Sequence, residues 1–335
     1  MYGCYYQNNI MTSIKRELLE YGLFPKKGLG QHFLVDRNIL DKVIRTAQVE
    51  KEDVVLEVGP GLGEMTLALA RLAKRVIAVE IDSKLVDILK KKLTDCLNVD
   101  VVKGDILTIN FRKIDTFDGA KPRFLNRGKK RRFLRQAQDT EFYRSAVSTL
   151  SIPRASDRGV EWVDFREGQK IKVVANLPYQ ISTPLLFRFI DLKEFFSTLT
   201  LMLQKEVAER MAASPGSKSY GPLSIFVQLF SNLSICFYIK PSAFFPPPKV
   251  ESAVVHIVFR EKPIVKLEDE KWFRKVVKGC FSYRRKTLVN ALKHSELSLS
   301  KSIGLKMEEI GIDPRRRPET LSIQEFARLA QTLKP

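Results

Sequence analysis

Apolar positions along this chain occur in two kinds of stretch: short, nearly continuous runs, and longer segments in which they recur every three or four residues. Continuous runs are typical of buried parallel strands, and the wider spacing is typical of amphipathic helices. In the first half the predicted segments are Asp53–Val58 (strand), Glu64–Ala73 (helix), Arg75–Val79 (strand), Asp82 or Ser83 to Leu93 (helix) and Val99–Val102 (strand). This order predicts an α/β fold with a mainly parallel sheet.

The second half continues the alternation and then becomes helical. Its predicted elements are a strand at Val173–Ala175, a helix from Ser182, a strand at Thr198–Leu203, helices at Lys205–Ala213 and Leu223–Phe230, and an antiparallel strand pair at Leu233–Ile239 and Ser252–Arg260. From Leu267 the pattern is helical and basic, which predicts a small all-α domain at the C-terminal end.

A glycine-rich segment joins the first predicted strand to the first helix of the sheet. It runs from Glu57 to Gly63 with the sequence EVGPGLG, and Glu80 ends the next strand. Glycines let the backbone approach a ligand closely, and an acidic side chain at the next strand end binds ribose hydroxyls. The spacing differs from the Gly-x-Gly-x-x-Gly of dinucleotide sites, but a nicotinamide cofactor stays open as an alternative.

A second candidate site follows the strand at Val173–Ala175. Pro178 cannot donate to a sheet ladder, so it ends the strand and holds Asn176 and Tyr179 at the carboxyl end, where open α/β sheets bind ligands. An amide oxygen and a backbone carbonyl can accept the N–H groups of a base's exocyclic amine, and a tyrosine ring can stack on the base. The alternative is a strand-ending turn with a core tyrosine.

Several segments resemble those of one group of enzymes. Glu-x-Gly-x-Gly-x-Gly resembles the first motif of class I S-adenosylmethionine-dependent methyltransferases, and Asn-Leu-Pro-Tyr resembles the catalytic motif of those that act on amino groups of bases. Gly30–Leu34 (GQHFL), Phe244–Ser252 (FFPPPKVES) and Cys280–Leu288 (CFSYRRKTL) resemble the rRNA adenine dimethyltransferases of the KsgA (RsmA) group, in which the His32 position is often Asn. The resemblance implies a Rossmann-like methyltransferase sheet with a small all-α C-terminal domain.

The same resemblance implies which residues form the site and which cofactor they hold. The implied catalytic residues are Asn176, Leu177, Pro178, Tyr179 and Phe244. The implied S-adenosylmethionine-binding residues are His32, Leu34, Gly59, Gly61, Gly63, Glu80, Asp105 and Asn176. Within this set Asp105 would bind the cofactor's adenine amino group. Phe244 would close over the target base opposite Tyr179; the alternative, a rigid proline turn with core phenylalanines, is compatible with that role. No metal is implied.

Composition indicates a polyanionic partner. The net charge is +19 and the sequence pI about 9.7, which favours nucleic acid or an acidic membrane surface. No apolar run reaches the ~20 residues that span a bilayer, and the N-terminus does not resemble a secretion signal. The four cysteines are scattered without a Cys-x-x-Cys pair, which argues against zinc and disulfides and fits a reducing cytosol.

The motifs divide the chain into a lead-in (residues 1–24), a methyltransferase domain (25–260) and a small helical RNA-binding domain (261–335).

Residues 113–168 are interpreted as an insertion, because Asp105 and Asn176 are separated far more widely than in the resembling family. Residues 121–136 hold eight basic residues and no acidic one. We interpret the insertion as an unstructured basic excursion and not a third domain; an RNA-gripping arm and an accidental genetic insertion both remain open.

The resulting expectation is a cytoplasmic, monomeric enzyme without membrane contact. It would transfer methyl groups from S-adenosylmethionine to N6 of two adjacent adenines near the 3′ end of small-subunit (16S) rRNA, within the immature 30S subunit. The arginines of the C-terminal domain would contact phosphates. Two alternatives remain: a 23S rRNA adenine methyltransferase of the erythromycin-resistance type, and a ribosome-assembly or transcription factor of this fold without catalysis.

Overall fold

The computed structural model describes residues 10–114, 162–166, 170–283, 285–295, 297 and 302–334. The chain forms two compact units. Unit 1 comprises residues 1–202 and 241–249, and unit 2 comprises residues 203–240 and 250–335. None of the helices in the described ranges has the length and apolar character that crossing a bilayer requires.

Five parallel strands form the main part of the large sheet. They are β2 (Val54–Val58), β3 (Arg75–Glu80), β4 (Val99–Lys103), β7 (Ile171–Asn176) and β8 (Phe196–Gln204), and they lie in the order β4-β3-β2-β7-β8. All but β4, whose residues are half-buried or exposed, are mostly buried. The order reverses between β2 and β7, which pair directly, Val58 opposite Ala175. Open α/β sheets leave a crevice at the carboxyl ends of the strands at such a point.

The described residues of unit 1 include five α-helices. They are α1 (Ile10–Glu20), α2 (Arg37–Ala47), α3 (Glu64–Ala70), α4 (Ser83–Lys92) and α5 (Ser182–Asp191). Asp36 and Asp82 cap α2 and α4, each accepting a backbone N–H, from Ile39 and Lys84 respectively. The structure ends α3 at Ala70, three residues earlier than the sequence pattern predicts.

A short strand pair brings together two segments that are distant in sequence. β1 (Phe33–Leu34) pairs antiparallel with β10 (Phe244–Phe245), and Val35 N donates to Ala243 O at 2.8 Å. The GQHFL and FFPPPKVES segments therefore lie side by side in unit 1.

The predicted insertion has ordered ends. β5 (Asn110–Ile114) and β6 (Trp162–Arg166) pair in parallel, so the described parts of residues 113–168 are strands and not an unstructured excursion. Backbone pairing between segments about 50 positions apart is not visible in local periodicity. The basic run at residues 121–136 lies outside the described residues.

Unit 2 contains helices and an antiparallel strand pair. Its elements are α6 (Lys205–Ala212), α7 (Pro222–Phe230), β9 (Ser231–Ile239), β11 (Ser252–Phe259), α8 (Glu270–Phe281), α9 (Leu288–Lys293), α10 (Ile303–Glu309) and α11 (Ile323–Thr332). Phe226, Phe273 and Phe326 are fully buried in it. The mixed, mainly parallel sheet and the C-terminal helices confirm the predicted fold class.

Candidate active site

The glycine-rich loop between β2 and α3 is shaped by backbone conformations that favour glycine. Gly59, Gly61 and Gly63 have φ of +67°, +60° and +86°. A Cβ on Gly61 would lie 3.1 Å from the Phe33 ring, and one on Gly63 would lie 2.8 Å from the Leu89 side chain. A side chain would therefore be strained at all three positions and would also be crowded at Gly61 and Gly63, and the loop keeps its backbone close to the crevice.

Two carboxylates follow the ends of β3 and β4. Glu80 is the last residue of β3; its Oε1 accepts from Asp82 N at 2.9 Å and its Oε2 accepts from Gly61 N at 3.4 Å. Burial raises the pKa of Glu80, and these backbone donors offset part of that rise. Asp105 lies just past β4, where its Oδ1 accepts from Leu107 N at 2.9 Å. Both side chains face one crevice, as the sequence order predicts.

A third carboxyl, Glu57, lies beneath the loop in β2. It is 1% exposed. Burial raises its pKa to about 8; the Thr66 side chain lowers the pKa in part, and the charge of Glu80 raises it further. At neutral pH the Glu57 carboxyl is therefore mostly protonated.

The Asn-Leu-Pro-Tyr segment turns sharply at the end of β7. Leu177 N donates to Met202 O at 2.9 Å, and the Pro178 carbonyl accepts from both Ile181 N (3.1 Å) and Ser182 Oγ (3.1 Å). The Pro178 carbonyl is thus already engaged. Within the described residues no group donates to the Leu177 carbonyl or to Asn176 Oδ1, which leaves these two oxygens as acceptors for a ligand.

His32 holds this segment in place through two contacts, and a third contact holds His32 itself. Its carbonyl accepts from Asn176 Nδ2 at 2.8 Å, and its ring stacks on Tyr179 with centroids 5.4 Å apart and planes inclined by 28°. Its Nδ1 donates to the Pro246 carbonyl at 2.6 Å, since a carbonyl can only accept. The stacked His32 ring therefore fixes the plane of Tyr179, and the proline segment fixes His32.

These segments enclose one cavity of about 470 Å³, within the range of small-molecule sites. Four carboxyl residues line it: Glu57, Glu64, Glu80 and Asp105. Among the described residues, no Lys or Arg lines it. Glu57 is mostly protonated at neutral pH, so the negative charge of the lining comes from the other three residues. In a chain of net charge +19 this acidic lining is a local exception. It favours a cationic ligand.

The structure brings most of the predicted site residues to this cavity. Those that line it are His32, Leu34, Gly59, Gly61, Glu80, Asp105, Asn176, Leu177, Pro178 and Tyr179. Gly63 and Phe244 do not line it. Gly63 is the N-cap of α3, and Phe244 is 3% exposed in the pair with β1. In this conformation Phe244 is thus a core residue, and its role at the target base stays a prediction.

Some lining residues were not indicated by sequence reasoning. Glu57 is the first residue of the EVGPGLG motif and lies in β2. The sequence does not show that its carboxyl group is buried, and this burial is what distinguishes it from other strand residues. Ile14 lies on α1, inside the segment that the sequence suggests is a lead-in. The apolar spacing of Ile14 and Leu18 was a signal for a buried helix face, but not for what that face contacts.

The residues present fit S-adenosylmethionine. The loop offers a cradle that a Cβ would fill at Gly61, Glu80 supplies a carboxylate for a ribose diol, and the acidic lining suits a sulfonium and an ammonium group. The apolar side chains of Leu62, Leu85 and Ile106 complete the wall.

Comparison with known proteins identifies the family of the chain. The family model described as "Ribosomal RNA adenine dimethylase" matches residues 24–334. A protein of Geobacter metallireducens named "Ribosomal RNA small subunit methyltransferase A" is 41% identical over 313 residues, covering 93% of this chain and 96% of that protein. One from Alkaliphilus oremlandii with the same name is 39% identical, covering 95% of each.

Two solved structures are similar over most of the chain. A dimethyladenosine transferase from Plasmodium falciparum has a TM-score of 0.63 and 27% identity, covering 89% of this chain and 96% of that one. The 23S rRNA methyltransferase ErmE has a TM-score of 0.58 and 19% identity, covering 90% of this chain and 99% of that one, which shows a shared fold.

Proposed function

The chain belongs to the ribosomal RNA adenine dimethylase family, and from this premise we propose that it dimethylates N6 of two adjacent adenines near the 3′ end of small-subunit rRNA. The observation that carries the proposal is the pair of acceptors beside the cavity, Asn176 Oδ1 and the Leu177 carbonyl, set against the Tyr179 ring. The cofactor is S-adenosylmethionine, which supplies a methyl group on a positively charged leaving group.

The protein's main task is to aim a weak nucleophile. The lone pair of an adenine amino nitrogen is delocalised into the ring. Accepting its N–H groups at Asn176 Oδ1 and the Leu177 carbonyl localises the lone pair and directs it at the methyl carbon. Because Asn176 Nδ2 is bound to the His32 carbonyl, Oδ1 stays turned toward the substrate. Positioning of this kind and oriented dipoles supply most of the acceleration.

Tyr179 holds the target base by stacking. Its ring is fixed by His32, so the base meets a rigid aromatic face. After transfer the amino group loses one proton to solvent, and this requires no strong base because the alkylated ammonium is acidic. For the second methyl group the base rebinds or rotates, and its one remaining N–H is donated to one of the two acceptors.

Binding of rRNA follows from the family, and its surface is proposed from charge. Residues 261–335 hold 17 Lys and Arg against 10 Asp and Glu, a net of +7. Arg285, Lys286 and Arg315 are exposed in unit 2, whereas Arg284 lies outside the described residues. These cations would contact phosphates of the immature 30S subunit, with the protein acting as a cytoplasmic monomer.

Sequence features favour this function over the erythromycin-resistance type. Leu177 in the catalytic motif and the segment from Cys280 to Leu288 match the small-subunit enzymes, and the relatives of 39–41% identity carry the small-subunit name. The non-catalytic alternative is disfavoured because Asn176, Tyr179, Glu80 and Asp105 are all in place at one cavity.

Transfer of a tritiated methyl group to purified ribosomal particles tests the proposal. We expect S-adenosylmethionine binding by calorimetry and N6,N6-dimethyladenosine at two adjacent positions of immature small-subunit rRNA. Label in 23S rRNA would support the erythromycin-resistance type instead. Cofactor binding without transfer to any rRNA would support a non-catalytic assembly factor.

A further inference from the structure

The helix α1 packs against the core of unit 1, although it precedes the residues that the family model matches, 24–334. Ile14 and Leu18, one turn apart, are 3% and 2% exposed. They belong to one buried cluster with six further apolar residues: Leu23, Phe33, Val35, Leu62, Leu85 and Ile88. The helix is therefore part of the folded unit and not a lead-in to it.

One side chain of α1 reaches the cofactor cavity. Ile14 lines this cavity together with Leu62 of the glycine-rich loop and Leu85 of α4. Phe33, whose ring lies beneath Gly61, belongs to the same buried cluster as Ile14. The side of the cavity at Ile14 is thus closed by a residue from outside the recognised motifs.

A three-residue ion cluster ties α1 to the glycine-rich loop. Lys92 Nζ lies 2.9 Å from Glu17 Oε1 of α1 and 2.9 Å from Glu64 Oε1, in the first turn of α3. All three side chains are less than a third exposed. Burial lowers the pKa of Lys92, but the two carboxylates outweigh burial and the net pKa is raised. Glu64 also lines the cavity, so the cluster links α1 directly to the cofactor loop.

We propose that α1 is part of the cofactor site, with Ile14 as a cofactor-contacting residue and Lys92 as a positioning residue that holds α1 against the loop. The inference rests on the proposed function, because it assigns these residues to the S-adenosylmethionine cavity. Its consequence is reciprocal: if docked α1 completes the cavity, the bound cofactor stabilises the docked helix by the same free energy.

The first test removes the cation. Lys92→Met keeps the side-chain length but leaves Glu17 and Glu64 without their cation, so we expect the Kd for S-adenosylmethionine and S-adenosylhomocysteine to rise roughly tenfold or more. Lys91→Met is the matched control, since Lys91 is exposed and adjacent on α4. Lys92→Arg, which can still bridge both carboxylates, should restore most of the affinity.

Two readouts separate positioning from general destabilisation. The KM for the cofactor should rise in Lys92→Met, whereas kcat at saturating cofactor should stay within about twofold, because the acceptors at Asn176 and Leu177 are untouched. Hydrogen exchange of the α1 amides should slow when S-adenosylhomocysteine is added to the parent protein, and slow less in the variant.

The second test removes the apolar contact. In Ile14→Ala each methylene withdrawn from the ligand weakens binding roughly fourfold. Leu19 lies on the same helix and is 60% exposed, so Leu19→Ala controls for helix propensity. If Lys92→Met does not fold, Glu17→Gln and Ile14→Val carry the test in milder form.

The outcomes distinguish the two levels of the proposal. A parent protein that binds no S-adenosylmethionine overturns the proposed function and this inference with it. The inference alone is overturned if the parent binds the cofactor, Lys92→Met and Ile14→Ala bind it equally well, and the cofactor does not change hydrogen exchange in α1.

Discussion

The Asn176 side chain donates a 2.8 Å hydrogen bond from Nδ2 to the backbone carbonyl of His32, 144 positions earlier in the chain. A side-chain amide can present either its oxygen or its nitrogen to a ligand. This bond commits the nitrogen to the protein and the oxygen to the substrate. The catalytic motif at the end of β7 therefore depends on the GQHFL segment for its orientation.

Asn176→Ala should slow methyl transfer by orders of magnitude and leave cofactor binding within a few-fold. The variant removes one oriented acceptor for the target amine, and loss of such a contact costs roughly 10²–10³ in rate. Single-turnover methyl transfer and calorimetry measure the two effects separately. Asn232→Ala, at an exposed position of β9, is the control. Unchanged turnover in Asn176→Ala would exclude Asn176 from the mechanism.

Glu80→Ala should weaken S-adenosylmethionine binding by about 1–3 kcal/mol, because a ribose diol loses a charged acceptor. The amide of Gly61 also loses its carboxylate partner, which adds to the effect. RNA affinity should hardly change, since Glu80 faces the cofactor cavity. Calorimetry of the variant, with the exposed Asp87→Ala as control, decides the assignment: equal cofactor affinity in variant and parent would refute it.

Glu57 should make folding stability depend on pH in a defined direction. Its pKa is about 8 in the folded chain and near the ordinary glutamate value of 4.5 when unfolded, so the folded state holds the extra proton between these limits. Stability is therefore lost as pH rises from about 4.5 to about 8, and the penalty is fully present above that.

Glu57→Gln should remove this penalty because glutamine keeps the shape and cannot ionise. Relative to the parent, its free energy of unfolding should increase with pH across that window by on the order of a few kcal/mol, and then level off. Urea unfolding at pH 5, 6.5, 8 and 9 measures the difference. Glu52→Gln, at an exposed site, should show no such slope. A pH-independent difference between Glu57→Gln and the parent would contradict the assignment.

Gly63→Ala should destabilise the fold more than Gly216→Ala. Gly216 has a similar backbone conformation, but nothing lies within 4 Å of its added Cβ. Both Gly63 (φ +86°) and Gly216 (φ +90°) lie in the left-handed region, so both substitutions cost about 1–2 kcal/mol. Only at Gly63 does the new Cβ meet a core side chain, Leu89 at 2.8 Å, which adds about 1–3 kcal/mol. Thermal unfolding of the two variants should therefore differ, and equal melting temperatures would show that the loop yields freely.

Replacing residues 115–161 with a Gly/Ser link should preserve the melting temperature and cofactor binding only if the link is long enough. β5 and β6 are parallel, so the connection from Ile114 to Trp162 must run back along about 13 Å of strand. About ten Gly/Ser residues span roughly 17 Å, whereas two cannot reach.

The same replacement tests the basic run at residues 121–136. If that run binds RNA, the long-link variant should bind RNA more weakly than the parent at low salt and nearly as well as the parent at high salt. Unchanged RNA affinity at low salt would support a passive insertion. A long-link variant that fails to fold would mean that the replaced residues belong to the core.

Local sequence was sufficient for the elements of the sheet and for the chemistry at their ends. Continuous apolar runs specify β2, β3 and β7, because strands buried on both faces tolerate few polar residues. Gly61 and Pro178 specify their turns through backbone sterics, which depend on neighbouring residues alone. Glu80 and Asp105 could be placed at the crevice because each follows a parallel strand in chain order, and parallel strands end at the same edge.

Tertiary structure decided what no local pattern contains. The β1–β10 pair, the contact of His32 with Pro246 and the parallel pairing of β5 with β6 join segments that are far apart along the chain. Phe244 is buried because of that strand pair, and the pKa of Glu57 is raised because of surrounding core atoms. The role of α1 likewise depends on Lys92 meeting Glu17 and Glu64 in space. Burial and ion pairing are sums over all neighbours of a group, and those neighbours are set by the folded chain.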